Sequence, residues 1–480
     1  MTSIRRAAFL SLAQRYVAFV IQLATSIVLA RLLSPSETGV FSLAAAIVSI
    51  AQLLRDFGIG EYVVQEKDMS RERLRSVLGV SLAIAWAIAA ALFASAGYIA
   101  DYYHEAGVRT VVHILALNFV LLPIGTTTFA VLTKELAFKE IFYVQTSSTL
   151  IGAAAAILLA FQGHSYLSLA WSSVFSSVTT VLVLAIVRPA ETFMLPRFSG
   201  LREIGIFGGT VTLGRFLDQL CRRAPDMFIA QGLGFHAVGI NSKATSLLDT
   251  FQDFFVSGIS RVATPAFAQT RHANGDSVES YIKAIRTLAI FPFVFFLLLA
   301  LLAEPLVLAL FGKAWLEAVP LLRIGAIGGI MAAPYFLGPP LLTAHGHVKD
   351  ILKIQVIGGI VFLGALYFAA SHSLVAVAAT GVAGSLVRIA MIHGALHRNF
   401  GMRIGQLFSA CRTNVLIAVL TGLLTAPVLL VYNGTVVSAL AALLAAAAAS
   451  IFALTLGIFA LDHPLAAEVR IFWRNRVRFS

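Results

Sequence analysis

The chain has 480 residues, of which 59% are hydrophobic and only 12% are charged. A soluble globular protein carries about twice that share of charge, so the composition excludes an ordinary soluble enzyme or binding domain. The formal net charge of +12 does not indicate a nucleic-acid-binding protein, because the basic residues flank apolar stretches instead of forming one patch. The two cysteines exclude a disulfide framework. The sequence therefore predicts an all-α integral membrane protein.

The apolar stretches predict about fourteen transmembrane helices, since a span needs roughly 20 mostly apolar residues. The first stretch contains Arg15 and lacks a small-x-small cleavage site, so we interpret it as a retained span and not as a signal peptide. The predicted helices cover residues 9–32, 38–59, 77–98, 110–131, 143–161, 167–187, 207–232, 238–260, 286–304, 318–342, 352–370, 374–395, 413–431 and 436–460.

The loops between these helices predict the orientation of the chain. With a cytoplasmic N-terminus, the predicted outside loops contain only Arg109 and Lys313 among the basic residues. Most other lysines and arginines fall in the predicted inside segments, which is the positive-inside pattern. The sequence therefore predicts that both termini are cytoplasmic, with an even number of helices.

Two short patterns recur along the chain at nearly the same offset. Residues 30–33 and 39–40 resemble residues 230–233 and 239–240, and residues 132–145 resemble residues 342–355. An offset of six helices keeps both copies in the same membrane orientation, which predicts two six-helix bundles in a parallel repeat. The predicted organisation is an N-terminal bundle (1–187), a cytoplasmic linker (188–206), a C-terminal bundle (207–396), helices 13 and 14 (397–462) and a basic cytoplasmic tail (463–480).

Charged residues inside the predicted helices are costly in hydrocarbon and are candidates for function. Most of them lie on helices 1, 2, 7 and 8, the leading pair of each repeat. The predicted substrate-binding residues are Arg15, Arg55, Arg215, Arg222, Arg223 and Gln219, and the predicted coupling or charge-balancing residues are Asp218, Asp226, Asp249 and Asp253. On helix 7 the stripe from Arg215 to Asp226 falls within roughly 80° of arc, which favours a bundle interior or an aqueous cavity.

Two interpretations of these charges stay open at this point. They could be neutralised pairs that only join helices, for instance Arg215 with Asp218 and Arg222 with Asp226. Alternatively, the excess of arginine on helix 7 needs water or an anionic ligand, and the forked guanidinium suits phosphate oxygens. His345 and His347 have no third ligand nearby, so no metal site is predicted.

An ordered set of short motifs resembles a known family. The motifs are LARLL at 29–33, Gly39, DFGIG at 56–60, Val64-Gln65, KELAF at 134–138, PAF at 265–267 and FGKAW at 311–315. Together they resemble bacterial polysaccharide transporters, the O-antigen and colanic-acid type of lipid-linked oligosaccharide flippase in the multidrug/oligosaccharidyl-lipid/polysaccharide (MOP) superfamily. The resemblance implies a V-shaped pair of bundles with a central cavity lined by helices 1, 2, 7 and 8, and alternating access through it.

The function that this resemblance implies is translocation of an undecaprenyl-diphosphate-linked oligosaccharide repeat unit across the bacterial cytoplasmic membrane. Expected partners are that substrate, membrane lipids, a polysaccharide polymerase and glycosyltransferases, with no nucleic acid. No cofactor is expected beyond H⁺ or Na⁺ as a coupling ion. The alternative is a small-molecule or drug antiporter of the same superfamily, although the net basic membrane charge disfavours a pocket for cations. An enzyme is not expected, since no outside loop is long enough for a catalytic domain.

Overall fold

A computed structural model of the chain describes residues 2–56, 58–66, 69–198 and 201–467, and does not describe the side chains of residues 2–12, 61, 65, 201–215, 253 and 254. The helices are α1 (Thr2–Leu32), α2 (Pro35–Asp56), α3 (Ile59–Gln65), α4 (Arg71–Tyr102), α5 (Ala106–Lys134), α6 (Phe138–Phe161), α7 (Leu167–Val187), α8 (Pro189–Thr192), α9 (Leu201–Gly232), α10 (Gly234–Phe251), α11 (Ser257–His272), α12 (Ser277–Leu288), α13 (Ile290–Leu301), α14 (Ala303–Leu310), α15 (Ala318–Ala332), α16 (Gly338–Ala344), α17 (Val348–Ala369), α18 (Leu374–Phe400), α19 (Ile404–Thr425) and α20 (Val436–Ala460).

The helices confirm the predicted class, an all-α multi-pass membrane protein. Twelve spans within the described residues are long and apolar enough to cross a bilayer. The predicted seventh and eighth helices correspond to α9, with 32 residues, and α10, with 18 residues. Both are long enough to span, and their charged residues set them apart from the twelve apolar spans. The total of fourteen stays a prediction. Most of the predicted basic tail falls at 468–480, outside the described residues.

Contacts between residues group the chain into two compact units, residues 1–239 and 240–480, and the division falls within α10. In the first unit α4 packs on α5, α6 packs on α7, and α1 packs along α6. In the second unit α13 packs on α15 and α19, and α17 packs on α18. The predicted domain boundaries at 187, 206 and 396 stay predictions.

The first part of the predicted linker is bound to the first unit. Arg75 Nε donates to the Leu195 carbonyl at 2.8 Å, and the Arg197 N–H donates to the Arg75 carbonyl at 2.9 Å. The hydroxyl groups of Thr128 and Thr192 lie 3.2 Å apart in a buried contact. These contacts fix the segment after α8 along α4 and α5, so the described part of the linker is not a free tether.

The repeat seen in the sequence extends to helix boundaries and to an ion pair. Helices α5 and α16 end at residues 134 and 344, and α6 and α17 begin at 138 and 348. Arg188 Nη2 lies 2.8 Å from Glu135 Oε2, and Arg398 Nη2 lies 2.7 Å from Asp350 Oδ1. The two arginines are separated by the same offset of 210 residues as the helix boundaries. In each repeat, the arginine at the end of the sixth helix (α7 or α18) thus binds an acid close to the start of the fifth helix (α6 or α17).

Candidate substrate site

The middle of α9 carries an ion pair that is open to its surroundings. Arg222 Nε lies 3.0 Å from Asp218 Oδ2, and the two side chains are 47% and 44% exposed. Nearly half of each side chain is thus open to whatever lies beside this part of α9. Arg222 takes part in a further interaction besides this pair, and its side chain remains exposed on α9.

The neighbours of this pair on α9 differ in exposure. Arg223 is exposed and Gln219 is half-buried, whereas Asp226 is only 8% exposed and has an interaction partner. Arg215 lies in the same helix, but its side chain is outside the described residues. The structure thus brings Asp218 and Arg222 together and places Arg223 beside them on an accessible part of α9.

Arg55 ends α2, which packs against α9 in the first unit. Its Nη2 and Nε lie 2.7 and 3.0 Å from Asp56 Oδ1, and its guanidinium carbon lies 5.4 Å from the centroid of the Phe119 ring. Its Nη1 is buried, and has no hydrogen-bond partner among the described residues. A buried donor without an acceptor is unfavourable by about 1–3 kcal/mol, so Nη1 is a ready donor to an added anion.

The remaining predicted residues lie outside α2 and α9, on α1, on α10 and just after α10. Arg15 on α1 is exposed and has an interaction partner. Asp249 on α10 is exposed and also has a partner. Asp253 lies in a π-helical turn, residues 252–256, that joins α10 to α11, and its side chain is outside the described residues. π-Helical turns inside helices occur often at functional sites.

Lys243 on α10 is a functional candidate that the predicted residue set did not include. Its ammonium nitrogen lies 5.2 Å from the ring centroid of Phe311 and 5.4 Å from that of Trp315. Aromatic faces stabilise a desolvated cation by about 2 kcal/mol. The FGKAW motif at 311–315 thus supplies the two aromatic rings that lie beside the Lys243 ammonium group. The motif alone did not indicate this role.

The first turns of α2 and α10 cross with their backbones in contact. A Cβ atom added to Gly39 would lie 1.8 Å from the Phe235 carbonyl oxygen, and one added to Gly239 would lie 1.9 Å from the Pro35 carbonyl oxygen. The two glycines and the two carbonyls are each 200 residues apart, so the contact is reciprocal between repeat-related positions. No side chain larger than hydrogen fits at either glycine unless the helix starts separate.

Glu37 fixes the start of α2 beside this crossing. Its Oε2 accepts hydrogen bonds from the backbone N–H and the hydroxyl of Ser34, at 2.7 and 2.8 Å. Its Oε1 accepts a hydrogen bond from the hydroxyl of Ser165, in the turn before α7. The carboxylate therefore caps the helix start and ties it to a second connection on the same predicted outer side.

Comparison with known proteins places this arrangement in a family. The polysaccharide biosynthesis protein family matches residues 28–320. The chain is 26% identical to the teichuronic acid biosynthesis protein TuaB of Bacillus subtilis over 349 residues, which are 72% of this chain and 69% of that protein. It is also 26% identical to the succinoglycan biosynthesis transport protein ExoT of Rhizobium meliloti over 366 residues, 73% of this chain and 71% of that protein.

Solved structures share the fold at low sequence identity. The lipid II flippase MurJ, in an inward closed conformation, superposes with a TM-score of 0.76 and 11% identity, covering 95% of this chain and 100% of that one. An inward-facing multidrug resistance MATE family transporter of the MOP superfamily gives 0.59 and 16%, covering 82% and 96%. Since the family match spans more than half of the chain, the protein belongs to the polysaccharide biosynthesis protein family and is a membrane transporter, not an enzyme.

Proposed function

We propose that the protein translocates an undecaprenyl-diphosphate-linked oligosaccharide repeat unit across the bacterial cytoplasmic membrane for surface polysaccharide biosynthesis, with both of its termini in the cytoplasm. The observation that carries the proposal is the accessible arginine pair, Arg222 and Arg223, in the middle of a helix long enough to span the membrane. Arginine at such a position needs water or an anion. A prenyl diphosphate supplies that anion and leaves its hydrocarbon tail in the bilayer.

Alternating access fits the contact between the starts of α2 and α10. Gly39 and Gly239 let two backbones meet on the predicted outer side. In this proposal the crossing closes the outer side while substrate enters from the inside, and it separates for release. The helix starts meet through a small, self-complementary surface, which is suited to forming and breaking repeatedly.

The acids are proposed to balance the arginines or to carry a coupling ion, H⁺ or Na⁺. Asp218 already pairs with Arg222. Asp226 follows on α9, Asp249 on α10 and Asp253 in the π-helical turn after α10. Proteoliposomes with an imposed H⁺ or Na⁺ gradient test this role. Transport that neither gradient alters would contradict coupling through these acids.

The test of the substrate role compares two arginines that are matched in exposure and pairing. Arg222 pairs with Asp218 at 3.0 Å and is 47% exposed, and Arg197 pairs with Glu72 at 2.9 Å and is 49% exposed. Only Arg222 lies within a predicted span. In a deletion strain, Arg222→Ala is expected to abolish surface glycan, whereas Arg197→Ala should restore it, with both proteins present in the membrane at equal amounts.

The outcome also separates the two transporter classes. Normal surface glycan with Arg222→Ala would contradict the substrate role of this arginine. A deletion strain with normal surface glycan but increased drug sensitivity would instead identify a drug antiporter. Loss of glycan without accumulation of the lipid-linked repeat unit inside the cell would place the protein at another step, with the polymerase or the glycosyltransferases as partners.

A further inference from the structure

A second basic site lies away from the charged helix α9. A cavity of about 650 Å³ opens between the start of α17 and the end of α18. That volume falls within the usual range for ligand sites, about 300–1,000 Å³. The polar side chains that line the cavity are those of His347, Lys349, Asp350, Lys353, Arg398 and Asn399. The cavity is on the side of the chain where the sequence predicts the basic, inside-facing loops.

The charges in this cavity do not cancel. Asp350 is its one carboxylate, and that carboxylate accepts hydrogen bonds from Arg398 Nη2 at 2.7 Å and from Asn399 Nδ2 at 2.8 Å. Lys349 and Lys353 are both exposed and have no ion-pair partner among the described residues. Two lysines one helical turn apart thus remain available to a single anionic group.

The equivalent place in the first repeat is neutralised. Arg188, which corresponds to Arg398, lies near two carboxylates, Glu135 at 2.8 Å and Glu191 at 3.7 Å. Lys139 corresponds to Lys349, and the position of Lys353 holds Tyr143. The same fold therefore accommodates this place without an excess of positive charge, so the excess in the second repeat is not required by the helix packing.

An apolar stripe continues from this cavity along the outer face of α17. Val348, Leu352, Val356 and Ile360 follow at intervals of four residues and are 36–63% exposed. Residues at this spacing form one face of a helix. A ligand that fills both features has an anionic group for the lysines and hydrocarbon for the stripe, which describes a lipid and not a soluble anion.

We infer that the cavity between α17 and α18 binds the headgroup of an anionic phospholipid of the inner leaflet. The phosphodiester lies between Lys349 and Lys353 with Arg398 beside it, and the acyl chains lie along the stripe from Val348 to Ile360. Basic pockets between helices on the cytoplasmic side of membrane proteins bind such headgroups through these contacts. The inference does not depend on the transported substrate.

The test compares lysine reactivity in two bilayers. The full-length protein is placed in nanodiscs of phosphatidylcholine alone or with phosphatidylglycerol, treated briefly with an acetylating reagent and analysed by mass spectrometry. We expect phosphatidylglycerol to slow acetylation of Lys349 and Lys353 at least fivefold. Lys139, at the corresponding place of the first repeat, should change less than twofold, and it controls for the general effect of an anionic surface.

Two results would overturn the inference. One is equal acetylation of Lys349 in both bilayers, or equal slowing at Lys139. The other is equal slowing by inorganic phosphate in phosphatidylcholine nanodiscs, which would identify a site for a soluble anion. A second measurement uses variants and native mass spectrometry: the double variant Lys349→Gln, Lys353→Gln should retain one phosphatidylglycerol fewer than Lys139→Gln. Equal retention by both variants would also refute the site.

Discussion

The crossing of α2 with α10 and the middle of α9 lie in the same unit, but they differ in the size and charge of their side chains. At the crossing, Gly39 and Gly239 remove every side-chain atom so that two backbones meet. On α9, Asp218 and Arg222 carry long charged side chains that are nearly half exposed. The first contact has no room for an added carbon atom, whereas the second leaves nearly half of each charged side chain exposed. The proposed function gives closure to this backbone contact and recognition of the substrate to the charged side chains of α9.

The crossing is the place where a single methyl group should have the largest effect. Gly239→Ala puts a Cβ atom against the Pro35 carbonyl. Overpacking of this kind typically costs about 1–3 kcal/mol, which corresponds to about 5- to 150-fold in the population of the closed state. We expect surface glycan output per inserted molecule to fall by at least tenfold. Gly97→Ala is the control, because nothing lies within 4 Å of that position on α4.

A separate readout distinguishes closure from simple instability. Val40, beside Gly39, is 6% exposed. In a variant lacking Cys221 and Cys411, a Val40→Cys substitution should react slowly with a maleimide added from outside, and adding Gly239→Ala should increase that rate severalfold. If the Gly239→Ala protein melts at a lower temperature with no change in labelling, the contact is structural and the gating role is wrong.

Substitutions at Arg55 and Asp56 test whether Arg55 binds the substrate or only pairs with Asp56. If this arginine only pairs with Asp56, then Arg55→Gln and Asp56→Asn should reduce export equally. If its unpaired Nη1 donates to substrate, Arg55→Gln should reduce export about tenfold, since a charged hydrogen bond contributes about 1.5–3 kcal/mol. Asp56→Asn should have little effect, because that side chain is 60% exposed. Export and membrane levels of the two variants decide the matter.

The sequence indicated some features of the α2–α10 crossing and of the charged residues, but not their contacts. The recurrence of residues 39–40 at 239–240 was visible, and it predicted that α2 and α10 begin alike. It could not predict that the two starts touch, because similarity between segments does not specify which copies pack together. The Asp218–Arg222 pair has a spacing of four residues on one helix, yet the sequence suggested other pairings, Arg215 with Asp218 and Arg222 with Asp226. Several charges on one helix face allow more than one pairing, so spacing alone did not decide between them. Arg55 over Phe119 joins distant helices, so no local pattern revealed it.

Other features of the fold were also set by distant contacts. The aromatic partners of Lys243 come from the connection after α14, far along the chain. The segment 188–206 reads as a linker from its prolines and glycine, yet Leu195 and Arg197 bond to α4. These contacts join the described part of the segment to residues far away in the chain, and a local composition of prolines and glycine does not indicate them.

Substitutions at Lys243 and Trp315 test whether the aromatic rings in the second unit stabilise the lysine charge. A double-mutant cycle with Lys243→Met and Trp315→Phe should give a coupling of about 1–2 kcal/mol, since indole is the best aromatic partner for a cation. The measurement is thermal unfolding in detergent. Additive effects of the two substitutions would show that the ring only packs against the aliphatic part of the lysine.

The smallest predicted effect concerns His463, just beyond α20. Its ring is 1% exposed, its Nε2 lies 2.8 Å from Asn414 Oδ1, and the Leu465 N–H donates to its Nδ1 at 3.2 Å. These partners fix the neutral ring, and burial lowers the pKa of His463 below its ordinary value of 6.5. Below pH 6.5 the unfolded chain therefore binds a proton that the folded chain excludes, and stability falls as the pH is lowered.

This effect can be isolated by substitution. The melting temperature of the wild-type protein should fall by a few degrees between pH 7 and pH 5. In His463→Asn the fall should be smaller, because the substituted side chain does not titrate. An equal fall in both proteins would show that other groups cause the acid sensitivity.

Affinity for a prenyl-diphosphate-linked oligosaccharide tests the central claim most directly. The Kd is measured for the purified wild-type protein, for Arg222→Ala and for the matched control Arg197→Ala. The account predicts that Arg222→Ala binds at least tenfold more weakly, a difference of about 1.4 kcal/mol, and that Arg197→Ala binds like the wild type. Equal affinity of all three proteins would contradict the claim that the accessible arginines of α9 recognise the diphosphate.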